Sequence, residues 1–228
     1  MLITTFGNRR VGNHLIRRWI SPNFSKPTHI FLNQHQRVRP VTEPPLDEVA
    51  TLGVEDGTYR DLLYKDDCNS ILRASTHYIH IIRDPINSLA SALKATHKFR
   101  SQHSSILGAP SPTILIPAKF SSFLETPPEG HLVIYEKFLA SKEYRDNLAT
   151  SLGIRPYESE LDKLSPQLGG SSFTGFTVPA NQMPVNERWK ECIDDPTYLW
   201  YLRYPGLLEA RESVYGPLPT ALQERLNG

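Results

Sequence analysis

The chain of 228 residues is long enough for one large domain with its own core. Its composition, 39% hydrophobic and 21% charged, is typical of a folded soluble protein. A formal net charge of +1 excludes the global field that holds DNA or an anionic membrane, so any anion site must be local. Two cysteines in no metal-like spacing, Cys68 and Cys192, argue against a disulfide scaffold or a zinc site.

The sequence indicates neither a targeting signal nor a membrane span. Polar Thr4, Thr5 and Asn8 interrupt the first apolar run, which argues against a signal peptide. No stretch approaches the ~18 apolar residues of a transmembrane helix. We therefore expect a single cytoplasmic domain over residues 1–228, with no nucleic-acid partner. The composition is compatible with a homo-oligomer.

Hydrophobic spacing predicts strands that alternate with helices along the chain. The predicted strands are residues 2–6, 28–32, 77–82 and 131–135. The predicted helices are residues 12–20, the segment that follows Pro85, residues 140–154, and several pieces between 194 and 226. A helical turn is expected at 59–64, whereas residues 36–58, rich in Pro, Glu, Asp and Gly, are predicted to be irregular.

Local capping residues support two of these helices. Asp84 can cap the helix that Pro85 opens, and Gly153 is placed to end the helix before it. Alternating strands and helices imply an α/β fold with a parallel sheet covered by helices. Ligands in such folds sit at the carboxyl ends of the strands.

The first strand-to-helix junction is GNRRVGNH, residues 7–14. A turn of this kind exposes backbone amides and the positive end of a helix, which suits phosphate or sulfate. Gly7 and Gly12 have the glycine spacing of a Walker A loop, but Asn13 and His14 stand where that motif needs lysine and a hydroxyl residue. A surface turn with solvated arginines is the alternative.

The second junction is RDPINSLAS, in which Arg83 ends a strand and Ser91 lies two turns into the next helix. An anion near that helix N-terminus can contact both side chains. Alternatively, Arg83 forms a salt bridge and Ser91 only packs between helices. Two more segments are of interest: Tyr135, predicted at a strand end, and GGSSF, where Phe173 can stack on a purine beside two hydroxyls.

Together these segments resemble the sulfotransferases that use 3′-phosphoadenosine-5′-phosphosulfate (PAPS). The family's P-[KR]-[ST]-G-T-T-W loop, which holds the 5′-phosphosulfate, resembles the stretch from Arg9 to Leu15 and puts Arg10 at the catalytic basic position. The family's Arg and Ser eight residues apart, which hold the 3′-phosphate, resemble Arg83 and Ser91.

The remaining motifs follow in the family's order. Its adenine loop resembles Ser171-Ser172-Phe173, its YED resembles Tyr135-Glu136-Lys137, and its late Trp-Lys resembles Trp189-Lys190. The resemblance implies a three-layer α/β/α sulfotransferase fold, related to that of P-loop NTPases. It implies PAPS as donor, 3′,5′-adenosine diphosphate (PAP) as product, and no metal. The cofactor contacts it implies are Arg9, Arg10, Val11, Gly12, Asn13, His14, Arg83, Ser91, Tyr135, Ser171, Ser172, Phe173 and Arg188.

The sequence also departs from the family pattern. Val11 stands where a hydroxyl is usual, and Asn13-His14 replaces a Thr-Thr pair. The R-K-G clamp that precedes the family's Trp has no counterpart, although Arg188 lies in that stretch and can compensate. These departures keep two alternatives open: a nucleotide-dependent kinase or phosphotransferase on a related fold, and a catalytically inactive nucleotide-binding relative.

Sulfuryl transfer needs a cation at the leaving phosphate and a base for the acceptor's proton. Arg10 is the expected cation, with Gly12 and Asn13 donating from the loop. Glu55 is the first choice as base, with His14, His35 and Asp56 as alternatives. The expected acceptor is a small molecule or carbohydrate with a hydroxyl or amine, and the sequence leaves its identity open. The variable region 96–129 either closes over it or packs on the sheet.

Overall fold

A computed structural model of the chain describes residues 1–8, 11–25, 28–33, 49–55, 74–102, 115–124, 130–161 and 184–228. Its centre is a sheet of five parallel strands: β1 (Ile3–Gly7), β2 (Thr28–Asn33), β3 (Val49–Glu55), β4 (His77–Ile82) and β5 (Gly130–Ile134). The strand order across the sheet is β2-β3-β1-β4-β5. All five carboxyl ends therefore lie along one edge of the sheet.

Helices follow most of the strands. The described helices are α1 (Asn13–Ile20), α2 (Pro85–Gln102), α3 (Leu115–Leu124), α4 (Tyr135–Ala140), α5 (Lys142–Leu152), α6 (Pro196–Leu202), α7 (Leu207–Tyr215) and α8 (Thr220–Asn227). Three short 3₁₀ segments are described at Ser21–Asn23, Glu158–Glu160 and Arg188–Cys192. Within these described residues, no helix is long and apolar enough to cross a membrane.

The core is divided into two apolar clusters, one on each face of the sheet, because side chains alternate along each strand. On one face, α1 and α4 pack Trp19 and Phe138 edge-to-face at a ring-centroid distance of 5.1 Å. On the other, α2, α3 and α6 pack against Phe6 of the central strand β1. Two helical layers with a sheet between them give the predicted three-layer α/β/α architecture.

The sheet has a switch point between β1 and β4. Helix α1, which follows β1, packs on one face of the sheet, and α2, which follows β4, packs on the other. Loops that leave neighbouring strands in opposite directions open a crevice at the carboxyl edge, and ligands of open α/β sheets bind in such crevices. Gly12, at the start of α1, and the RDP turn both lie at this edge of the sheet.

The predicted strands and helices agree with the structure, with shifts of one to three residues, whereas α3 and α4 were not predicted. Asp84 accepts a hydrogen bond from the amide of Ile86 at 3.2 Å and so caps α2, and Gly153 ends α5 in the left-handed conformation, with φ of 65°. Strand β5 stops one residue before Tyr135, which begins α4. The turn predicted at 59–64 lies outside the described residues.

The prediction of irregular structure over 36–58 is wrong for its second half. Residues Val49–Glu55 form β3, which lies between β1 and β2. Thr51, Leu52 and Val54 are fully buried, as expected for an interior parallel strand covered on both faces. Gly53 and the acidic residues that follow weaken the strand signal in the sequence, because glycine and acidic residues are uncommon in strands.

Candidate anion-binding site

The loop after β1 ends at Gly12, which is the N-cap residue of α1. Gly12 has φ of 97° and ψ of 15°, in the left-handed region, and its carbonyl accepts the first hydrogen bonds of α1 from Leu15 and Ile16. Glycine is the residue that adopts this conformation at little cost. The first-turn amides of Asn13 and His14 precede the intrahelical hydrogen bonds of α1, so they are the groups that a bound anion would contact.

The backbone of Gly12 is also pressed against an aromatic ring. A Cβ placed on Gly12 would lie 2.1 Å from Cε2 of Tyr135, so no side chain fits there. Tyr135 in turn lies beside Arg83, whose Cζ is 5.4 Å from the centre of the ring, a cation–π arrangement. The ring of Tyr135 therefore connects the loop after β1 with the arginine that ends β4.

Asn13 brings an amide side chain into the same loop. It is only 3% exposed, and neither its Oδ1 nor its Nδ2 has a hydrogen-bond partner among the described residues. A Cβ placed on Gly7 would lie 2.8 Å from Asn13 Oδ1, which shows that the side chain lies over the end of β1. A buried polar group without a partner is costly, so Asn13 is suited to receive a polar ligand.

Val11 lies in the loop but its side chain belongs to the core. It is 3% exposed and packs in the apolar cluster under α1. Its Cγ2 would lie 2.5 Å from a Cβ placed on Gly7. The side chain that replaces the family's hydroxyl thus fills space below the loop. Any contact of Val11 with a ligand would have to come from its backbone.

Three predicted residues converge at the carboxyl end of β4; we refer to Arg83, Ser91 and Arg188 as the Arg83 site. Ser91 Oγ accepts a hydrogen bond from Arg188 Nη1 at 2.7 Å and a longer one from Arg83 Nη1 at 3.5 Å. It donates its own proton to the carbonyl of Asn87 at 2.8 Å. Each of the three side chains is at most 9% exposed. Two guanidinium groups are thereby held around one hydroxyl.

Arg83 is fixed by further contacts. Its Nη2 donates to the carbonyl of Val185 at 2.7 Å, and its Nε lies 3.8 Å from Glu136 Oε1. Burial lowers the pKa of Arg83, while the nearby Tyr135 and Glu136 act in the opposite direction. A buried cation of this kind is stabilised by negative charge, whether from the protein or from a ligand.

A buried ion pair supports the turn between β4 and α2. Arg211 of α7 binds both carboxylate oxygens of Asp84, at 2.9 and 2.8 Å, and donates to the carbonyl of Gly216 at 2.6 Å. The Asp84 amide donates to Glu136 Oε1 at 3.1 Å. Arg211 was not identified from the sequence, because it lies between two glutamates in a helix that has the composition of a solvent-exposed face.

The structure describes two of the four candidate bases, Glu55 and His14. Glu55 is the last residue of β3 and pairs in register with Gly7 of β1, so it lies at the carboxyl edge next to the loop of residues 7–14. His14 lies in the first turn of α1. Both thus lie at the carboxyl edge of the sheet. His35 and Asp56 lie outside the described residues.

Several predicted contacts also lie outside the described residues: Arg9, Arg10, Ser171, Ser172 and Phe173. Half of the variable region 96–129 does as well. Its described helix α3 buries Ile116 and Phe120 in the core, at 1% and 2% exposure. These two side chains therefore pack on the sheet, which was one of the two alternatives predicted for this region. Among the described residues, no group of three or more His, Cys, Asp or Glu side chains could hold a metal ion.

Fold and site together define a class: a parallel α/β domain with cationic and amide groups at the switch point of its sheet. Among solved structures, the chain is similar to the sulfotransferase domain of the olefin synthase from Synechococcus PCC 7002, with a TM-score of 0.57 and 14% sequence identity. The similarity covers 96% of this chain and 95% of that domain. The chain therefore has the sulfotransferase fold, which confirms the predicted fold class. No protein-family profile and no curated protein matches the sequence.

Proposed function

We propose that the protein is a sulfotransferase that moves a sulfuryl group from PAPS to a hydroxyl or amine of a small-molecule or carbohydrate acceptor. One observation carries the proposal. Arg83, Ser91 and Arg188 converge at the carboxyl end of β4, and Tyr135 links Arg83 to the N-terminus of α1. Two anion-binding features joined by Tyr135, the Arg83 site and the N-terminus of α1, suit a donor that carries phosphate groups at both its 3′ and its 5′ positions.

The Arg83 site fits the 3′-phosphate of such a donor. Guanidinium groups bind phosphate oxygens with paired N–H donors of fixed geometry. Ser91 Oγ already gives its proton to Asn87 and accepts from both arginines. Its role is therefore to hold the two guanidinium groups in place. Arg188 supplies a second cation in the part of the chain where the family's R-K-G clamp is missing.

The N-terminus of α1 fits the 5′ end of the donor. The amides of Asn13 and His14 and the positive end of the helix favour an anion, and the buried side-chain amide of Asn13 adds a donor that lacks a partner among the described residues. Glycine at position 12 lets the backbone approach the anion closely, since its conformation and its contact with Tyr135 exclude a side chain.

The donor supplies the sulfuryl group, and the chain supplies charge stabilisation and a base. Negative charge grows on the leaving phosphate during transfer, and fixed amides beside it stabilise that charge without reorganisation. Arg10 is the proposed cation at this position. Glu55 is the proposed base, because its place at the end of β3 beside Gly7 puts a carboxylate next to the loop. His14 is the alternative base on the same edge.

Binding of PAP tests the assignment of the donor. We expect PAP to raise the thermal unfolding temperature of the protein, whereas ATP with Mg²⁺ should not. Stabilisation by ATP with Mg²⁺ alone would favour a kinase instead. Arg83→Ala should weaken PAP binding at least about tenfold, through loss of a charge-assisted contact. Arg155→Ala is the matched control, because Arg155 is exposed and its described hydrogen bonds are those of its backbone with Asn23.

Turnover tests the chemistry separately from binding. With labelled donor and a panel of hydroxylated and amine acceptors, Arg10→Ala should lower kcat by more than it weakens PAP binding. An equal loss in both would reassign Arg10 to affinity alone. Binding of PAP without turnover of any acceptor would favour a catalytically inactive relative.

A further inference from the structure

Glu136 is a largely buried carboxylate next to the Arg83 site that the proposed reaction does not use. It follows Tyr135 in the first turn of α4, and its side chain is 14% exposed. Its Oε1 accepts a hydrogen bond from the amide of Asp84 at 3.1 Å and lies 3.8 Å from Nε of Arg83. The Arg83 guanidinium thus has a carboxylate at its Nε, while its two Nη groups face Val185 and Ser91.

Charged and titratable groups face Glu136 from three elements. Arg83 and Asp84 lie in the turn after β4, Tyr135 precedes Glu136 in α4, and Tyr215 approaches from α7. The charge of Asp84 is largely compensated by its ion pair with Arg211. The main favourable partner of an ionised Glu136 is therefore Arg83.

Opposing influences act on the pKa of Glu136, and their net effect raises it. Burial is the largest influence and raises its pKa, and the nearby Asp84 acts in the same direction. Arg83 and the amide of Asp84 lower it. An anion bound to Arg83 and Arg188 would add negative charge close to a carboxylate that is already poorly solvated. The ionised form of Glu136 would then lose much of its support, because Arg83 would be shared with the ligand.

We propose that Glu136 is the internal counter-ion of Arg83 and takes up a proton when an anion binds at the Arg83 site. In the empty site the ionised carboxylate balances the charge of the buried guanidinium. Once a ligand brings its own negative charge to Arg83, Glu136 is protonated and adds no second negative charge. This inference rests on the proposed function only in that the ligand is an anion.

The proposal predicts an unusual effect of an isosteric substitution. Glu136→Gln keeps an oxygen that can accept from the Asp84 amide but removes the charge that competes with the ligand. Anion affinity should therefore rise about tenfold at about pH 8, well above the usual pKa range of a carboxyl group. The gain should be smaller at about pH 5.5, because protonation of Glu136 in the wild type removes the same charge. A residue that only positioned Arg83 would give weaker binding at every pH.

Calorimetric titration measures the coupled proton directly. Inorganic sulfate is the first probe, because it has no group that titrates near neutral pH, and PAP is the second. Each is titrated near pH 7.5 in Tris and in imidazole at equal ionic strength, and the difference in observed enthalpy gives the number of protons taken up. We expect uptake of a fraction of a proton by the wild type and close to none by Glu136→Gln. Glu158→Gln, which alters a carboxylate paired with Arg145, should behave as wild type.

The possible outcomes separate this proposal from the proposed function. Equal proton uptake by wild type and Glu136→Gln overturns it, as does weaker binding by the variant at both pH values. Sulfate-linked uptake that depends on Glu136, without PAP binding, supports it and removes PAPS as donor. PAP binding without that uptake supports PAPS as donor and overturns the role of Glu136. Failure of both ligands to bind overturns both proposals. If Glu136→Gln does not fold, the wild type still decides, since sulfate affinity that is unchanged between about pH 6 and pH 8 contradicts the proposal.

Discussion

Ser91 and Arg188 should be energetically coupled in binding PAP. We consider a double-mutant cycle with Ser91→Ala, Arg188→Met and the double variant. Met keeps much of the length of the arginine and removes its charge. Ser91 Oγ accepts from Arg188 at 2.7 Å and from Arg83 at 3.5 Å, so its removal takes one hydrogen-bond acceptor from each guanidinium group. The effect of each substitution should therefore depend on whether the other is present.

The size of the coupling follows from the kind of contact. A hydrogen bond to a charged group contributes about 1.5–3 kcal/mol, so Ser91→Ala should weaken PAP binding by about 2 kcal/mol, or about thirtyfold. Arg188→Met should cost about as much, through the loss of one cation at the phosphate. Once Arg188 is gone, Ser91 keeps only the longer of its two contacts with an arginine. The double variant should thus lose about 1–1.5 kcal/mol less than the sum of the single variants.

Calorimetric titration with PAP at fixed pH and ionic strength measures all four affinities. Ser151→Ala is the control for a serine-to-alanine change, because Ser151 only bonds a carbonyl within α5. Losses that add to within about 0.5 kcal/mol would refute the reasoning. They would mean that Ser91 and Arg188 contact the ligand independently.

Three further predictions concern stability. Burial lowers the pKa of His80 from 6.5 to about 4, so the unfolded chain binds more protons as the pH falls through this range. The free energy of unfolding in urea should fall by about 2.5 kcal/mol more in the wild type than in His80→Phe between about pH 8 and about pH 4.5. Equal falls in the two proteins would contradict this. Gly12→Ala should cost at least about 2 kcal/mol, through strain and a clash. Gly153→Ala, also left-handed but with nothing within 4 Å of its Cβ, should cost about 1 kcal/mol, and equal losses would argue against the clash. Arg211→Met should cost about 3 kcal/mol by leaving Asp84 buried without its partner, and a thermal shift close to zero would show that the pair is dispensable.

Local patterns in the sequence were sufficient for most of the fold. The strand HYIHII and the turn that follows it were predicted at their observed places, because β-branched residues, a capping aspartate and a proline occur there in sequence. Strand β3 was missed since Gly53 and the acidic residues near Glu55 obscure it. Only the pairing of β3 with both β1 and β2 explains why this stretch is extended.

The candidate site was predictable only in part. Spacing along the chain suggested Arg83 with Ser91, because both belong to one strand–helix unit. The contact of Ser91 with Arg188 joins residues 97 positions apart, and the pair of Asp84 with Arg211 joins residues 127 apart. No local pattern specifies such contacts. Val11 shows the same limit, since only the packing of α1 on the sheet reveals that its side chain points into the core.

The same separations determine when the site is completed. All five strands of the sheet precede residue 135, whereas Arg188 and Arg211 are synthesised later and must return to the turn after β4. Contacts between distant residues carry the largest cost of loop closure and form slowly. During synthesis on the ribosome, the sheet can therefore pair before the Arg83 site has its second arginine. The strands can therefore pair first, and the Arg83 site gains its second arginine afterwards.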